Sequence, residues 1–335
     1  MSIKLNTNPY WWDAAEPIQL AEASVASSCD VVIVGAGYAG LSAALILARA
    51  GRSVQIFDKQ RPGEGASSRN GGLASANIRM GLGEMVKKLG MKTALRVYGE
   101  GKDAREGLAR FLKSEKIDCD YQPVGRFVGA YRPAHYEAQC RETEMLNENL
   151  NINAKTIPRA EQHKEIGSEY YHGGMVRSDL AGLHPGKFVM GLLDTVTKAG
   201  AVVHGETPVT GTIKNGKNYE VATSRGKVIA KQVIIATNGY SDTSNRWLQR
   251  RLVPIPSRII ATGPLPKETM DRLLPKRRMM GETRQLYHYY RPSPDGTRIL
   301  FGGRERTWGG IGVDYSEKLR NDLAEIFPEL ATASL

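Results

Sequence analysis

Cysteine is scarce in this sequence, and the few cysteines form no recognisable motif. The 335 residues include three of them, Cys29, Cys119 and Cys140, which are widely separated and give no Cys-x-x-Cys pair. This spacing excludes a zinc knuckle and a dithiol redox motif. The histidines show no ligand spacing either, so we expect no metal site. Three free thiols favour a reducing compartment.

A targeting signal is also missing from the start of the chain. The first residues, MSIKLNTNPYWWDAAEP, lack the apolar core of a signal peptide. An apolar stretch of membrane length occurs at residues 31–50, but Gly35, Gly37 and Gly40 interrupt it. We therefore expect a cytoplasmic protein without a transmembrane segment.

Positive charge exceeds negative charge, but it is dispersed along the chain. The net charge is +11, and the densest basic clusters are the short stretches RWLQRR (246–251) and KRR (276–278). Neither cluster is interleaved with stacking aromatic residues, so we expect no nucleic-acid partner. A basic surface can instead attract an anionic cofactor or substrate.

The sequence does contain a βαβ pattern at residues 28–59, SCDVVIVGAGYAGLSAALILARAGRSVQIFDK. The β-branched run at 31–34 predicts a buried strand, and the apolar residues that follow at helical spacing predict a helix that stops at Gly51. The run at 54–57 predicts a second strand, which ends at Asp58. Buried parallel strands give such continuous apolar runs.

The glycines of this pattern have the spacing of a dinucleotide-binding turn. Gly35 permits the turn, Gly37 lets the main chain approach a diphosphate, and Gly40 lets the helix pack on the strand. The phosphates would then lie on N–H groups at the helix N-terminus, near Tyr38 and Ala39.

An acidic residue follows at the expected distance from the glycines. The carboxylate of Asp58 suits the two ribose hydroxyls of an adenosine, and we include Lys59 beside it among the cofactor contacts. An acid at this position disfavours NADP. NAD and FAD share this fingerprint, so it leaves open which of them binds.

Two other segments favour FAD over NAD. The loop GEGASSRNGG (63–72) offers hydroxyl, guanidinium and amide groups to an extended polar ligand, from Ser67, Ser68, Arg69, Asn70, Gly71 and Gly72. A hairpin that turns near residue 225 leads into a buried strand, which closes on ATNGY with Thr237, Asn238 and Gly239. This arrangement is typical of two-dinucleotide-binding FAD folds.

With these motifs in view, the sequence resembles the D-amino-acid oxidase-like (glycine oxidase/sarcosine oxidase) superfamily of FAD-dependent oxidoreductases. Within it, the resemblance is to bacterial gamma-glutamylputrescine oxidoreductases and their amine-oxidising relatives. It is carried, in family order, by DVVIVGAGYAGLSAALILARAG, GASSRNGG, LHPGKFVMGL, TPVTG, ATNGY and ILFGGR. The resemblance implies FAD as cofactor and oxidation of a C–N bond of an amine or amino acid by hydride transfer to the flavin.

The resemblance also implies an α/β fold, with an FAD-binding Rossmann-like domain of the two-dinucleotide-binding type and an interleaved α+β substrate domain. The expected divisions are an N-terminal segment at 1–28, the FAD-binding domain at 29–92 and 184–245, the substrate domain at 93–183 and 246–330, and a tail at 331–335. His184 is expected to start a helix. A strand over 201–209 is expected to end near Val209, whose backbone would face the adenine.

Candidates for the substrate-facing wall come from two strands. In LYHYYR (286–291) the alternation of a strand places Tyr287, Tyr289 and Arg291 on one face, where tyrosine and arginine could hold a substrate carboxylate. In ILFGGR (299–304), Arg304 follows two glycines that could admit a flavin. A surface strand and a plain turn arginine explain the same residues equally well.

The family continues beyond FPEL (327–330) into a segment that returns to the FAD domain, whereas here only ATASL follows. Two readings therefore stay open. One is an active FAD-dependent oxidoreductase, and the other is a truncated, catalytically impaired FAD-binding remnant or subunit that needs a partner chain or oligomer. A third, an NAD-dependent dehydrogenase, is opposed by the SSRNGG and ATNGY segments.

Overall fold

The structure is a computed structural model that describes residues 6–76, 78, 80–304 and 315–335. Parts of the expected N-terminal segment and substrate domain, residues 1–5 and 305–314, lie outside the described residues. Within the described part of the chain, no helix combines the length and the apolar character needed to cross a membrane.

The strands of the described chain, in order, are β1 (Ser28–Val34), β2 (Val54–Phe57), β3 (Leu73–Ser75), β4 (Arg126–Gly129), β5 (Lys155–Ile157), β6 (Gly174–Arg177), β7 (Leu180–Gly182), β8 (Val202–His204), β9 (Val209–Asn215), β10 (Asn218–Thr223), β11 (Gly226–Ile235), β12 (Ser257–Ala261), β13 (Met279–Glu282), β14 (Tyr289–Pro292) and β15 (Ile299–Arg304). The helices are α1 (Trp12–Ala15), α2 (Tyr38–Arg49), α3 (Leu82–Leu89), α4 (Met91–Ser114), α5 (Pro133–Leu150), α6 (Pro185–Lys198), α7 (Arg246–Gln249), α8 (Lys267–Leu273) and α9 (Tyr315–Ile326).

The first sheet has six strands in the order β8-β2-β1-β11-β10-β9. Strands β8, β2, β1 and β11 run parallel, and β10 and β9 continue the sheet as antiparallel hairpins. Val34, at the end of β1, pairs with Ile235 of β11 and with Phe57 of β2. The carboxyl ends of three strands therefore meet at one edge, where open parallel sheets bind their ligands.

Helices α2 and α6 cover one face of this sheet. Leu41 and Leu45 of α2 share a buried core with Ile33 of β1 and with Val189 and Leu192 of α6. The βαβ unit predicted from the sequence is thus present. At the start of α6, His184 Nδ1 accepts a hydrogen bond from the Lys187 N–H at 3.1 Å, as a cap of the helix. Burial lowers the pKa of His184 to about 4, which keeps this nitrogen neutral and able to accept.

The second sheet has seven strands in the order β12-β15-β14-β13-β4-β6-β5. One face packs against α9 through a buried core that includes Phe127, Tyr290, Phe301 and Leu323. Burial alternates along β4, so that Arg126 and Val128 are half-buried on the other face. A small third sheet pairs β3 with β7.

A buried ionic network joins α9 to the second sheet. The Glu282 carboxylate accepts a hydrogen bond from Arg284 Nε at 2.7 Å, and His288 Nδ1 lies 3.0 Å from it. His288 Nε2 lies 3.0 Å from Asp322 Oδ2 of α9. Burial alone would raise the pKa of Asp322, but hydrogen bonds from His288 and Lys318 outweigh it and hold this pKa at about 2.

Two strand predictions need correction. Residues 201–209 do not form one strand, because β8 ends at His204 and a turn through Gly205 separates it from β9. Glu206 in that turn has a φ of 49°, which a continuous strand cannot accommodate. The strand predicted at 286–291 is also shorter and lies later, at Tyr289–Pro292.

The two larger sheets draw on separate parts of the chain. Strands of the first come from 28–57 and 202–235, and those of the second from 126–177 and 257–304. The exact domain boundaries stay a prediction. Residues 331–335, expected as a tail, are attached to the core, because the Ser334 carbonyl accepts a hydrogen bond from the Gly263 N–H at 2.7 Å.

Candidate active site and cofactor cavity

A first cavity lies where β1, β2 and β11 end, and we call it the nucleotide cavity. Its walls combine the glycine turn, the end of β2, the 63–67 loop and the segment after β11, and they consist of Val34, Gly35, Gly37, Phe57, Asp58, Lys59, Gln60, Gly63, Gly65, Ala66, Ser67, Pro208, Val209, Ala236, Thr237, Asn238, Tyr240, Asp242 and Ser244. This cavity lies at the strand ends where the sequence analysis predicted a nucleotide site. That its walls bind the cofactor stays a prediction.

The glycines are required by close main-chain contacts. Gly35 has a φ of 106°, and a Cβ atom placed there would lie 2.7 Å from the Ala236 carbonyl oxygen. A Cβ at Gly40 would lie 1.9 Å from the Gly35 carbonyl oxygen, so Gly40 serves the packing of α2 on β1. Gly37, the N-cap of α2, has no side chain to cap this helix, and the Tyr38 N–H of its first turn donates to Ser67 Oγ at 3.0 Å. The N-terminus of α2 thus lies at the cavity wall, where a helix favours a diphosphate.

Asp58 is held rigidly at the far end of the nucleotide cavity. Its Oδ2 accepts a hydrogen bond from the Ala36 N–H at 2.7 Å, and its Oδ1 accepts one from the Gln60 N–H at 3.0 Å. Burial raises the pKa of the Asp58 carboxyl despite these bonds. Each oxygen keeps a second lone pair, so the carboxylate can still accept ribose hydroxyls. Lys59 Nζ donates to Asp242 Oδ2 at 3.3 Å across the cavity mouth.

The 63–72 loop is fixed by its own asparagine and by the N-terminal tryptophans. Asn70 Nδ2 donates to the Ser67 carbonyl at 3.0 Å, and its Oδ1 accepts from the Gly72 N–H at 2.9 Å. Trp12 Nε1 donates to Ser68 Oγ at 2.9 Å, and the buried Trp11 donates to the Asn70 carbonyl at 2.8 Å. Residues at the start of the chain thus hold this loop in place.

A second cavity opens between this loop and the second sheet. Its walls are formed by Gly37, Tyr38, Ala39, Ala66, Ser67, Asn70, Gly71, Leu73, Ser75, Arg126, Val128, Ala236, Asn238, Glu282, Gln285, Tyr287, Tyr289 and Arg304. Five of these residues, Gly37, Ala66, Ser67, Ala236 and Asn238, also line the nucleotide cavity. The two cavities therefore share part of their walls and adjoin each other at Gly37 and Ser67.

Tyr289 and Arg304, two of the residues that the sequence analysis proposed for the substrate-facing wall, both line the second cavity. The Tyr289 ring lies between two glycines, since Cβ atoms at Gly71 and Gly302 would come within 2.8 and 2.5 Å of it. Its hydroxyl lies 3.0 Å from Ser257 Oγ. The Arg304 guanidinium lies 5.8 Å from the centroid of the Tyr287 ring. Whether either residue takes part in catalysis stays a prediction.

The expected role of Arg291 in substrate binding needs correction. Arg291 is fully buried outside the cavity walls. Its Nη1 donates to the carbonyl oxygens of Gly72 and Leu183, at 2.8 Å each, and its guanidinium lies 5.5 Å from the Trp11 ring centroid. Arg291 shares a strand face with Tyr289, but the backbone of Gly72 and Leu183 covers it. We therefore describe it as a positioning residue for the 63–72 loop.

The buried position of Arg291 predicts that its substitution affects FAD binding and not substrate binding. Arg291→Lys removes the Nη1 group that donates to two carbonyl oxygens, and we expect a loss of about 2 kcal/mol in stability, because one buried acceptor loses its partner. We expect the FAD dissociation constant to rise while the KM of a substrate is unchanged. Titration of the apoprotein with FAD and steady-state kinetics measure both. An increase in KM with unaltered FAD affinity would contradict the positioning role.

Some predicted cofactor residues do not line either cavity. Tyr38 and Ala39 line the second cavity. The residues that belong to neither wall are Gly40, Ser68, Arg69, Gly72 and Gly239. Arg69 Nη2 donates to the Tyr240 hydroxyl at 3.3 Å.

Sequence reasoning missed two charged wall residues, Arg126 of the second cavity and Asp242 of the nucleotide cavity. Arg126 opens the strand RFVG with a polar residue on an alternating pattern, which was the one available signal.

A dinucleotide cradle that continues into a cavity beneath a second sheet defines a flavoprotein of the two-dinucleotide-binding type. The chain belongs to the DAO family of FAD-dependent oxidoreductases, whose family model matches residues 30–334. The predicted family, fold class and FAD cofactor are thereby confirmed. The glycine turn and the two adjoining cavities fit FAD, which the residues around Gly37, Asp58 and Ser67 would hold.

Relatives and solved structures agree with this assignment. The chain is 31% identical over 97% of its length to a probable oxidoreductase OrdL of Rhizobium meliloti, of which it covers 76%. It is 32% identical over 90% of its length to the gamma-glutamylputrescine oxidoreductase of Escherichia coli, of which it covers 71%. The crystal structure of glycine oxidase from Geobacillus kaustophilus matches with a TM-score of 0.71 at 19% identity, over 92% of this chain and 80% of that one.

Proposed function

We propose that this protein oxidises a C–N bond of an amine or amino acid, in the manner of a gamma-glutamylputrescine oxidoreductase. The observation that supports the proposal is that the two cavities adjoin each other at Gly37 and Ser67. A dinucleotide held in the first cavity would direct its reactive end toward the second, whose walls include Tyr289 and Arg304. Bound FAD supplies the two-electron acceptor for the substrate carbon.

The residues of the second cavity prepare the substrate amine for oxidation. An alkylammonium does not give up hydride readily, so the site must favour the neutral amine. The rings of Tyr287 and Tyr289 and the side chains of Leu73 and Val128 form apolar parts of the cavity wall, and a substrate amine packed against them would lose water. Such desolvation lowers the pKa of an amine. Burial also raises the pKa of the Tyr289 hydroxyl, which keeps it protonated as a hydrogen-bond donor.

The proposal is tested by anaerobic bleaching of the bound flavin. Purified protein is mixed with gamma-glutamylputrescine, a secondary amine, an amino acid and putrescine in turn, and the visible flavin absorbance is followed. We expect loss of absorbance with at least one amine and its return when air is admitted or an artificial electron acceptor is added. A flavin-loaded protein that none of these compounds reduces would contradict the proposed reaction.

A further inference from the structure

The segment that leads from the first sheet to the second contains an exposed apolar run. Every residue at 249–258, from the end of α7 into β12, is exposed to solvent. This stretch includes the sequence LVPIP at 252–256, in which the Val253 side chain is 79% exposed and Leu252 and Ile255 are also exposed. An unbroken apolar run in contact with water is unusual on a protein surface, and it indicates a binding surface.

A tryptophan and an arginine extend the exposed run toward α7. Trp247 is 63% exposed. The Arg251 guanidinium lies 4.1 Å from the centroid of the Trp247 ring, and its Nη1 donates to the Trp247 carbonyl at 2.9 Å. Tryptophan is enriched where lipid tails meet headgroups, because its ring has an apolar body and a polar N–H. We call residues 246–256 the linker surface.

The linker surface carries positive charge that the described chain does not balance. No aspartate or glutamate occurs from residue 243 to residue 267, a range that contains four arginines. Arg246 and Arg250 are exposed, and neither side chain has a hydrogen-bond or ion-pair partner among the described residues. The same short segment therefore presents apolar side chains and uncompensated cations to solvent.

Contacts with neighbouring residues hold the linker surface in place. A Cβ atom at Gly239 would lie 3.7 Å from Pro254 Cβ, so the run packs against the segment that follows β11. Asn245 Oδ1 accepts a hydrogen bond from the Leu248 N–H at 3.1 Å, and the Leu252 N–H donates to the Leu248 carbonyl at 3.0 Å. The prolines of the run restrict its backbone further. A restrained backbone loses less entropy when its side chains bind a partner.

We propose that the linker surface docks this protein peripherally on a membrane that contains anionic lipids. The apolar run and Trp247 would enter the boundary between headgroups and tails, and the arginines would pair with lipid phosphates. A second copy of this chain fits the surface less well, because a two-fold contact would bring the arginines of both copies together. The inference concerns a surface outside both cavities and does not depend on the proposed reaction.

Vesicle binding tests this docking surface. FAD-loaded protein is sedimented with vesicles of phosphatidylcholine and phosphatidylglycerol, and separately with vesicles of phosphatidylcholine alone. We expect binding to the anionic vesicles, much weaker binding to the neutral ones, and a decrease in binding as salt is added. Arg246→Gln combined with Arg250→Gln should weaken binding to anionic vesicles roughly 30-fold, since each arginine near such a surface contributes about 1 kcal/mol.

A second pair of substitutions removes the apolar contribution. Val253→Ser combined with Ile255→Ser should weaken binding to anionic vesicles by about 10-fold or more. Both side chains are exposed, so the variant should fold and load FAD as the wild type does. Two matched controls should leave vesicle binding unchanged. Ile46→Ser replaces an apolar residue of α2 that is 71% exposed, and Arg110→Gln removes the charge of a side chain that is 72% exposed.

Three outcomes would overturn the proposal. The first is wild-type protein that binds neither kind of vesicle, and the second is unaltered vesicle binding in both linker-surface variants. The third is self-association in sedimentation velocity without lipid that the Val253→Ser and Ile255→Ser variant abolishes, which would assign the surface to a second copy. Flavin bleaching by amines is measured without vesicles, so failure of the docking surface leaves the test of the proposed reaction intact.

Discussion

Replacing Gly37 with valine is expected to give a folded protein that retains no FAD. A Cβ atom at this position would lie 2.8 Å from Ser67 Oγ, and the valine methyl groups would crowd the wall that the two cavities share. They would also keep a diphosphate away from the N–H groups of α2. We expect a penalty of at least about 3 kcal/mol, or roughly 100-fold in the FAD dissociation constant.

The measurement is the ratio of flavin to protein absorbance after gel filtration, together with FAD titration of the apoprotein. Gly211→Val is the matched control, because this glycine lies on β9, a Cβ atom added there would have no heavy atom within 4 Å, and valine favours strands. That variant should carry as much FAD as the wild type. A yellow, stoichiometrically loaded Gly37→Val protein would show that the diphosphate binds elsewhere.

Glu282→Ala is expected to destabilise the fold by about 3–5 kcal/mol. The Glu282 side chain is fully buried and compensates both Arg284 and His288, and it accepts a hydrogen bond from the Tyr171 hydroxyl. Burial would raise the pKa of Glu282, but the hydrogen bonds from His288 and Arg284 lower it overall. Its removal deprives both groups of their buried shared carboxylate and leaves His288 paired with Asp322 and Arg284 with the exposed Glu325.

Urea unfolding measures this loss, and Glu325→Ala is its matched control. The Glu325 side chain is 55% exposed, and its carboxylate lies 3.8 Å from Nη1 of the same Arg284. Exposed ion pairs contribute little, so we expect a change below about 1 kcal/mol. Equal effects of the two substitutions would show that the buried network does not stabilise the packing of α9.

The parts of the fold that the sequence predicted well are those governed by local pattern. The β-branched run before Gly35, the helix that follows and the strand before Asp58 each have a periodicity that depends on neighbouring residues alone. The glycine spacing is also local, because Gly35 and Gly40 belong to the same short turn between strand and helix. Such features identify a nucleotide site without knowledge of the rest of the chain.

The second cavity depends on contacts between distant segments, and there the sequence was a weaker guide. Strand alternation correctly placed Tyr289 and Arg291 on one face, but alternation does not reveal what covers that face. The backbone of Gly72 and Leu183 covers Arg291, whereas Arg126 lines the second cavity. Whether an arginine of this sheet is covered or reaches the cavity depends on packing between segments more than a hundred residues apart, which no local pattern encodes.

The pairing of β1 with β11 has a consequence for the order of events in the cell. Val34, just before the glycine turn, can pair with β11 only after Ile235 has left the ribosome. The 63–72 loop is complete only after Arg291 has been made, because Arg291 donates to the Gly72 carbonyl. A nascent polypeptide therefore has no complete binding surface for its coenzyme until both segments have been synthesised. We expect flavin to be retained only after that point.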